Sequence, residues 1–201
     1  MKDSIKMIAA LVVFALAACV GLAFVYDATL PVITENNKKK TQYAQELLFP
    51  GAQFKEISGQ IKSGNPAVAF KDQYAAQKDG VLTGVIINSS SGGFNADIEA
   101  LVGIDADGKI AGVQILVNTE TPGLGANASN PKYFIDKPAK TKTFYSQFNG
   151  MDSNGKIAVE KDGGNVVAIT AATISSRAVA LLVAEAARAG GEWISKNGGA
   201  Q

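Results

Sequence analysis

Thr170-Ala-Ala-Thr-Ile-Ser-Ser-Arg177 opens the last long apolar-periodic segment of the chain. Before it lies a short β-branched run, residues 165–169. After it, Val179, Leu182, Val183 and Ala186 recur at i, i+3, i+4 and i+7, with Arg177, Glu185 and Arg188 on the opposite side. The junction predicts a strand running into a helix over residues 174–189, closed by Gly190-Gly191. A helix N-terminus carries unpaired backbone N–H groups and a partial positive charge, which suits a phosphate. A threonine at such a place either caps the helix or offers its Oγ as the atom that a phosphate esterifies.

Working outward, the texture from about residue 54 is one of short β-rich pieces. Residues 81–87 read as a strand. Residues 98–104 and 109–117 flank Asp105-Ala-Asp-Gly108, a hairpin signal. Asp152-Ser-Asn-Gly155 and Asp162-Gly-Gly164 punctuate two further short strands, around residues 156–159 and 165–169. Short antiparallel strands with helices at the ends predict an α+β domain. Two loops stand out. Ser89-Ser-Ser-Gly-Gly-Phe94 sets small residues ahead of one aromatic, and Glu120-Thr-Pro-Gly-Leu-Gly125 follows a strand directly. Each is readable as a plain turn. Their glycines also permit close approach of a ligand to the backbone, and their N–H groups can form an anion-binding nest.

Composition narrows the chemistry. Nineteen basic and 18 acidic residues leave a net charge of +1, with no basic footprint for nucleic acid. There is no histidine, which removes imidazole bases, the usual haem ligand and most zinc sites. A single cysteine, Cys19, can neither close an internal disulfide nor ligate an iron–sulfur cluster alone. Any redox role needs a cofactor independent of such ligands.

Residues 7–26 form an uncharged, almost wholly apolar run, as long as the roughly 20 residues that carry a helix across a bilayer core. Lys2 and Lys6 precede it, and Tyr26 and Asp27 mark its far end. A cleaved leader is the rival reading, with Leu16-Ala-Ala-Cys19 resembling a lipoprotein box. Against it, the apolar run continues through Val20, Leu22, Phe24 and Val25. Lys38-Lys-Lys40 on the other flank nearly balances the charge rule, so the residues themselves leave orientation open. Pro31 is expected to break the anchor. Thr34, as N-cap, starts a polar helix that runs to Leu48 and stops at Pro50-Gly51.

Taken together these stretches resemble a known family. Leu48-Phe-Pro-Gly-Ala52, Leu101-Val-Gly-Ile-Asp105, Asp107-Gly-Lys-Ile-Ala-Gly-Val113, Glu120-Thr-Pro-Gly-Leu-Gly125 and Ala168-Ile-Thr-Ala-Ala-Thr-Ile-Ser-Ser-Arg-Ala-Val179, behind an N-terminal anchor, are similar to the G subunit of the Rnf complex, a membrane-bound ferredoxin:NAD oxidoreductase. They are similar too to the C subunit of the sodium-pumping NADH:quinone reductase. The resemblance implies an FMN-binding domain of short antiparallel strands with flanking helices. In such proteins FMN is joined through its phosphate to the last threonine of an Asp-x-x-(Ser/Thr)-Gly-Ala-Thr motif, here Thr173, with Thr170, Ala171 and Ala172 before it. The resemblance implies that Glu120, Thr121, Gly123, Leu124 and Gly125, with Gly92, Gly93 and Phe94, line the flavin.

It also implies a layout: a cytoplasmic tail (1–6), one membrane span (7–26), a stalk helix (27–50) and an extracytoplasmic domain (51–201) on the cell (inner) membrane. The implied partners are the other membrane subunits of an Rnf-type complex and a flavin transferase. FMN would relay electrons within a complex that couples electron flow to ion transport. Two positions depart from the motif: its glycine is Ala171 and its aspartate position is Val167. If residue 171 needs a positive φ, alanine there costs about 1–2 kcal/mol. A membrane-anchored binding or assembly module without a redox cofactor is the alternative that these departures favour.

Overall fold

The computed structural model describes residues 2–197; the first residue of the expected tail and the last four of the expected domain lie outside them. The chain divides into two units, Met1–Lys40 and Thr41–Gln201.

The first unit is carried by helix α1, Lys2–Leu48, which continues into the start of the second. Met7, Leu11, Phe14, Val20, Leu22 and Phe24 are exposed on it. A helix apolar all round and unpacked calls for an apolar solvent, and this one is long and apolar enough to cross a membrane. Pro31 does not break it, contrary to the sequence expectation. Proline removes one N–H from the helix ladder, and a threonine on each side bonds back to the carbonyl four residues before it. Thr29 Oγ1 donates to the Val25 carbonyl at 2.8 Å and Thr34 Oγ1 to the Leu30 carbonyl at 2.9 Å. Thr34 is therefore a mid-helix residue and not an N-cap.

The second unit is a five-stranded antiparallel meander with the strands in chain order. They are β1 (Gln53–Glu56), β2 (Val68–Lys78), β3 (Val81–Gly92), β4 (Asp97–Asp105) and β5 (Ile110–Val117). Helix α2, Thr173–Asn197, lies across one face. The expected hairpin is present. Asp105 Oδ1 accepts from the N–H groups of Asp107 and Lys109, and Gly108 turns the chain at φ +76°. The two expected strands beyond residue 155 reduce to one parallel bridge, Val159 to Val166. Their hydrophobic residues still enter the core: Ile157, Val159, Val166 and Ile169 are buried. The long connection from β5 to α2 is fastened by Phe144 and Phe148, fully buried and packed edge to face at 5.9 Å.

β3 is buried over most of its length because the sheet is covered on both sides. Val85 and Ile87 meet Val179, Leu182, Val183 and Ala186 of α2 in one cluster. Ile86, one residue out of phase, joins Leu101 and Ala76 beneath Ala44, Leu48 and Phe49 in the other. Period-two alternation with apolar residues on both phases is the signature of a strand buried on both faces.

Glycines set the closeness of both covers. Gly190 does not end α2, which runs on to Asn197; a β-carbon there would stand 2.8 Å from Ile104 Cδ1 and 3.2 Å from Val85 Cγ1. It is a contact glycine in mid-helix, as is Gly191 against Ser153, where a β-carbon would lie 2.5 Å from Oγ. On the other face Gly84, Gly103 and Gly112 form a bare floor. β-Carbons on them would lie 2.5 Å from Phe49 Cζ, 3.1 Å from Phe49 Cε2 and 2.8 Å from Leu48 Cδ2. We expect Gly84→Ala to destabilise the domain by about 1–3 kcal/mol through overpacking, read as a lowered midpoint in thermal unfolding. A variant that melts with the parent would show that both Phe49 and the Ile104 carbonyl, closer still to such a β-carbon, give way at no cost.

Candidate functional site

The turn that enters α2 is held from four directions. Gln147 clamps the main chain at Val167, accepting from its N–H at 2.8 Å and donating to its carbonyl at 3.2 Å. Ser176 Oγ accepts from Ile169 N–H and donates to the Ala172 carbonyl, both at 2.9 Å. Tyr133 Oη accepts from Thr170 N–H at 3.4 Å. The Ala172 N–H donates to the Ile169 carbonyl at 3.0 Å. The outcome is a tight reversal in which Ala171 adopts φ +61°. That is the left-handed region, the condition under which alanine in place of glycine is strained.

Beyond the reversal the helix end is open. The first helical bond is Ser176 N–H to the Ala172 carbonyl. Among the described residues the amides of Thr173, Ile174 and Ser175 have no acceptor, and neither Thr170 nor Thr173 uses its hydroxyl in a hydrogen bond. Of the two readings of the threonines, capping is not what the geometry holds. A half-buried hydroxyl at Thr173 stands with three unspent N–H groups at the positive end of a 25-residue helix.

These atoms open on a cleft of about 350 Å³, within the usual size of a small-ligand site. Phe94, Glu120, Thr121, Leu124 and Gly125 form one wall, and Ala171, Ala172, Thr173, Ile174 and Ser175 the other. The large apolar groups at the rim are unusually bare, Phe94 at 71% exposed and Ile174 at 51%. The donor set fits a flat aromatic ligand bearing a phosphate: apolar side chains for the ring, and free amides with a hydroxyl for the anion. The residues fit FMN by that test.

Most of the sequence-predicted site comes together here, from three separate stretches of chain. Thr170 sits on the exposed turn just outside the cleft, Gly92 at the exposed end of β3, and Gly123 at the tip of its own turn at φ +79°. None of these three lines it. Gly93 lies beneath Glu120. Sequence reasoning missed Ile174 and Ser175 as wall residues. They lie inside the quoted stretch, but helical periodicity alone does not say which side of the first turn meets the Glu120 loop.

Glu120 is only 5% exposed. Its Oε2 accepts from Ser175 Oγ at 2.5 Å and its Oε1 from Asn95 N–H at 2.8 Å. Burial pushes this carboxyl up. The Ser175 hydroxyl and the N–H groups of Asn95, Ala96 and Phe94 outweigh it and hold the group below its ordinary value. Glu120 is ionised at neutral pH.

Residues 93–188 match the model of the FMN-binding domain, a span that includes both walls of the cleft. The chain is 34% identical to the G subunit of the proton-translocating ferredoxin:NAD(+) oxidoreductase complex of Clostridium ljungdahlii, over 82% of this chain and 80% of that one. It is 30% identical to the G subunit of the ion-translocating oxidoreductase complex of Methanosarcina acetivorans, over 89% of each. It is 31% identical to the G subunit of the Na(+)-translocating ferredoxin:NAD(+) oxidoreductase complex of Acetobacterium woodii, over 84% of this chain and 82% of that one.

The reversal yields its own expectation. Ala171→Gly relieves the left-handed strain and should raise stability by about 1 kcal/mol, less the entropy that glycine adds to the unfolded chain. Chemical denaturation of the flavin-free protein measures it. A loss of stability instead would mean that the Ala171 methyl is packed and not merely tolerated.

Proposed function

The chain belongs to the G-subunit family of ion-translocating ferredoxin:NAD(+) oxidoreductase complexes, and from that premise we propose that it is a membrane-anchored electron-transfer subunit carrying FMN. It works among other membrane subunits in a complex that couples electron flow to ion transport. When bound, FMN supplies the redox chemistry, a relay of electrons between neighbouring centres. The polypeptide supplies position, exclusion of water and electrostatic tuning. The observation that carries this reading is the cleft at the α2 N-terminus, where one uncommitted threonine hydroxyl meets three uncommitted amides.

Within that reading Thr173 is the attachment residue. Its Oγ would lose its proton and form the ester bond to the flavin phosphate as the bond between that phosphorus and the leaving group of a flavin donor, held by a flavin transferase, breaks and the leaving group is released. The amides of Thr173, Ile174 and Ser175 and the helix dipole hold the phosphate oxygens. Phe94, Leu124 and Ile174 cover the ring, with Thr121 beside it. Thr170, Ala171 and Ala172 shape the turn that presents Thr173. An attached cofactor stays with the protein without tight noncovalent binding. The Gln147 clamp on Val167 supports the turn where the family motif has an aspartate.

Residues 7–26 span the cell membrane once, following a cytoplasmic tail (1–6). Residues 27–50 form the stalk, and the domain from residue 51 lies outside the cytoplasm. The unbroken apolar stretch of α1 supports the span; the family pattern supports the orientation.

Expressed with an active flavin transferase, the protein should run as an ultraviolet-fluorescent band in a denaturing gel. Thr173→Val, close in shape, should abolish the band while leaving thermal unfolding of the flavin-free protein within about 1 kcal/mol of the parent. Thr170→Val should weaken the band without removing it. An unmodified tryptic peptide containing Thr173 from such cells would end the covalent reading. For topology, a reporter active only in the cytoplasm, fused after Gln201, should be silent, and activity there would reverse the orientation.

A further inference from the structure

The glycines of the two cleft loops invite the reading that they let a ligand approach the backbone. The structure gives two of them another task. A β-carbon at Gly93 would stand 2.6 Å from Glu120 Oε1, and one at Gly125 would stand 2.7 Å from Glu120 Oε2 and against Ser175 Oγ. Neither glycine is at positive φ, so neither is needed for the turn itself. The Glu120 carboxylate fills space beside both, together with the Ala96 carbonyl, 2.6 Å from the β-carbon position at Gly93, and Ser175 Oγ, closer still to that at Gly125.

That carboxylate joins three segments distant in sequence: the loop after β3 through Asn95, its own loop after β5, and the first turn of α2 through Ser175. Asn118 Oδ1 completes the arrangement by accepting from Glu120 N–H at 3.1 Å. Phe94, Leu124 and Thr173 each lie within a few residues of one of these fastening points. No lysine or arginine pairs with Glu120 among the described residues. A buried ion held only by neutral donors is costly, and an amide in its place would satisfy much of the same geometry without the charge.

We propose that Glu120 is a positioning residue that closes the two walls of the cleft on one another, and that its unpaired negative charge opposes electron uptake by the bound flavin and so lowers its reduction potential. This rests on the cofactor reading above. The physical cause is Coulomb repulsion between the charge of Glu120, in the wall of the cleft, and an electron taken up by a flavin bound there. Glu120 neither binds the phosphate nor transfers a proton; it acts through the walls it fastens and through its field.

The test uses the full chain in detergent, with Glu120→Gln, Glu120→Ala and Ser175→Ala alongside the parent. Glu120→Gln keeps an acceptor and the volume but removes the charge. Its flavin potential, measured on the labelled fraction, should rise, while the unfolding temperature of the flavin-free protein stays near the parent's. Ser175→Ala keeps the charge and loses one bond, so its potential should move less than that of Glu120→Gln. Glu120→Ala should lower both the unfolding temperature of the flavin-free protein and the labelling. An unchanged potential in Glu120→Gln overturns the electrostatic role. A Glu120→Ala protein that melts with the parent overturns the positioning role. If the parent itself takes up no flavin, the cofactor reading and the electrostatic role fall together, and the positioning role still stands or falls on the flavin-free melting series.

Discussion

The structure depends on how closely β3 is approached from both sides. A central strand with Val85, Ile86 and Ile87 in succession has no face to show to water, so both faces need a cover. The covers come from opposite ends of the second unit: α2 on one side and residues 44–49 on the other. Each is brought within van der Waals reach by glycine, Gly190 in the helix and the Gly84–Gly103–Gly112 floor in the sheet. Backbone proximity of this kind seats the covering side chains directly against the main chain of the sheet and helix. Its cost is that a methyl group on any of these glycines would press on Phe49, Leu48 or Ile104. The site inherits its rigidity from this arrangement, since the first turn of α2 is the end of an element whose middle is locked to β3 and β4.

Much of this was legible in the residues. The hairpin at Asp105–Lys109 declares itself through Asp and Gly at a set spacing. The junction at residue 170 declares itself because strand period and helix period meet there. What sequence could not carry is the purpose of particular glycines and prolines. Gly190-Gly191 reads as a helix stop, because glycine next to an apolar-periodic run usually is one; only the distance to Ile104 and Ser153 shows that these two residues are contact surfaces. Pro31 reads as a break for the same kind of reason, yet the helix runs through it to Leu48. The segments around residues 156–159 and 165–169 have strand-like composition, yet one bridge is all the pairing they make. Composition reports that they are buried and not what they bond to.

The cleft was legible in its parts and not in its logic. Thr173, Phe94 and the Glu120–Gly125 loop were each identifiable as places where chemistry could sit. That Ser175 and Asn95 meet on the two oxygens of one carboxylate is a property of three-dimensional closure between stretches 25 to 55 residues apart. Local sequence carries no trace of such a contact. The left-handed turn at Ala171 shows the opposite case, a conformational demand readable in advance from the residue that usually meets it.

The seating of Leu48 and Phe49 on the glycine floor bears on how this protein can be handled away from lipid. A truncation chosen where the sheet begins, at about residue 51, would cut away one of the two apolar covers and leave Ile86, Leu101 and three bare glycines facing solvent. A recombinant fragment of that kind would be a half-finished domain, prone to self-association through the uncovered side. One beginning ahead of Thr41 would take its own lid with it, lack the apolar stretch at residues 7–26, and be the natural starting point for crystals or for cofactor loading in vitro.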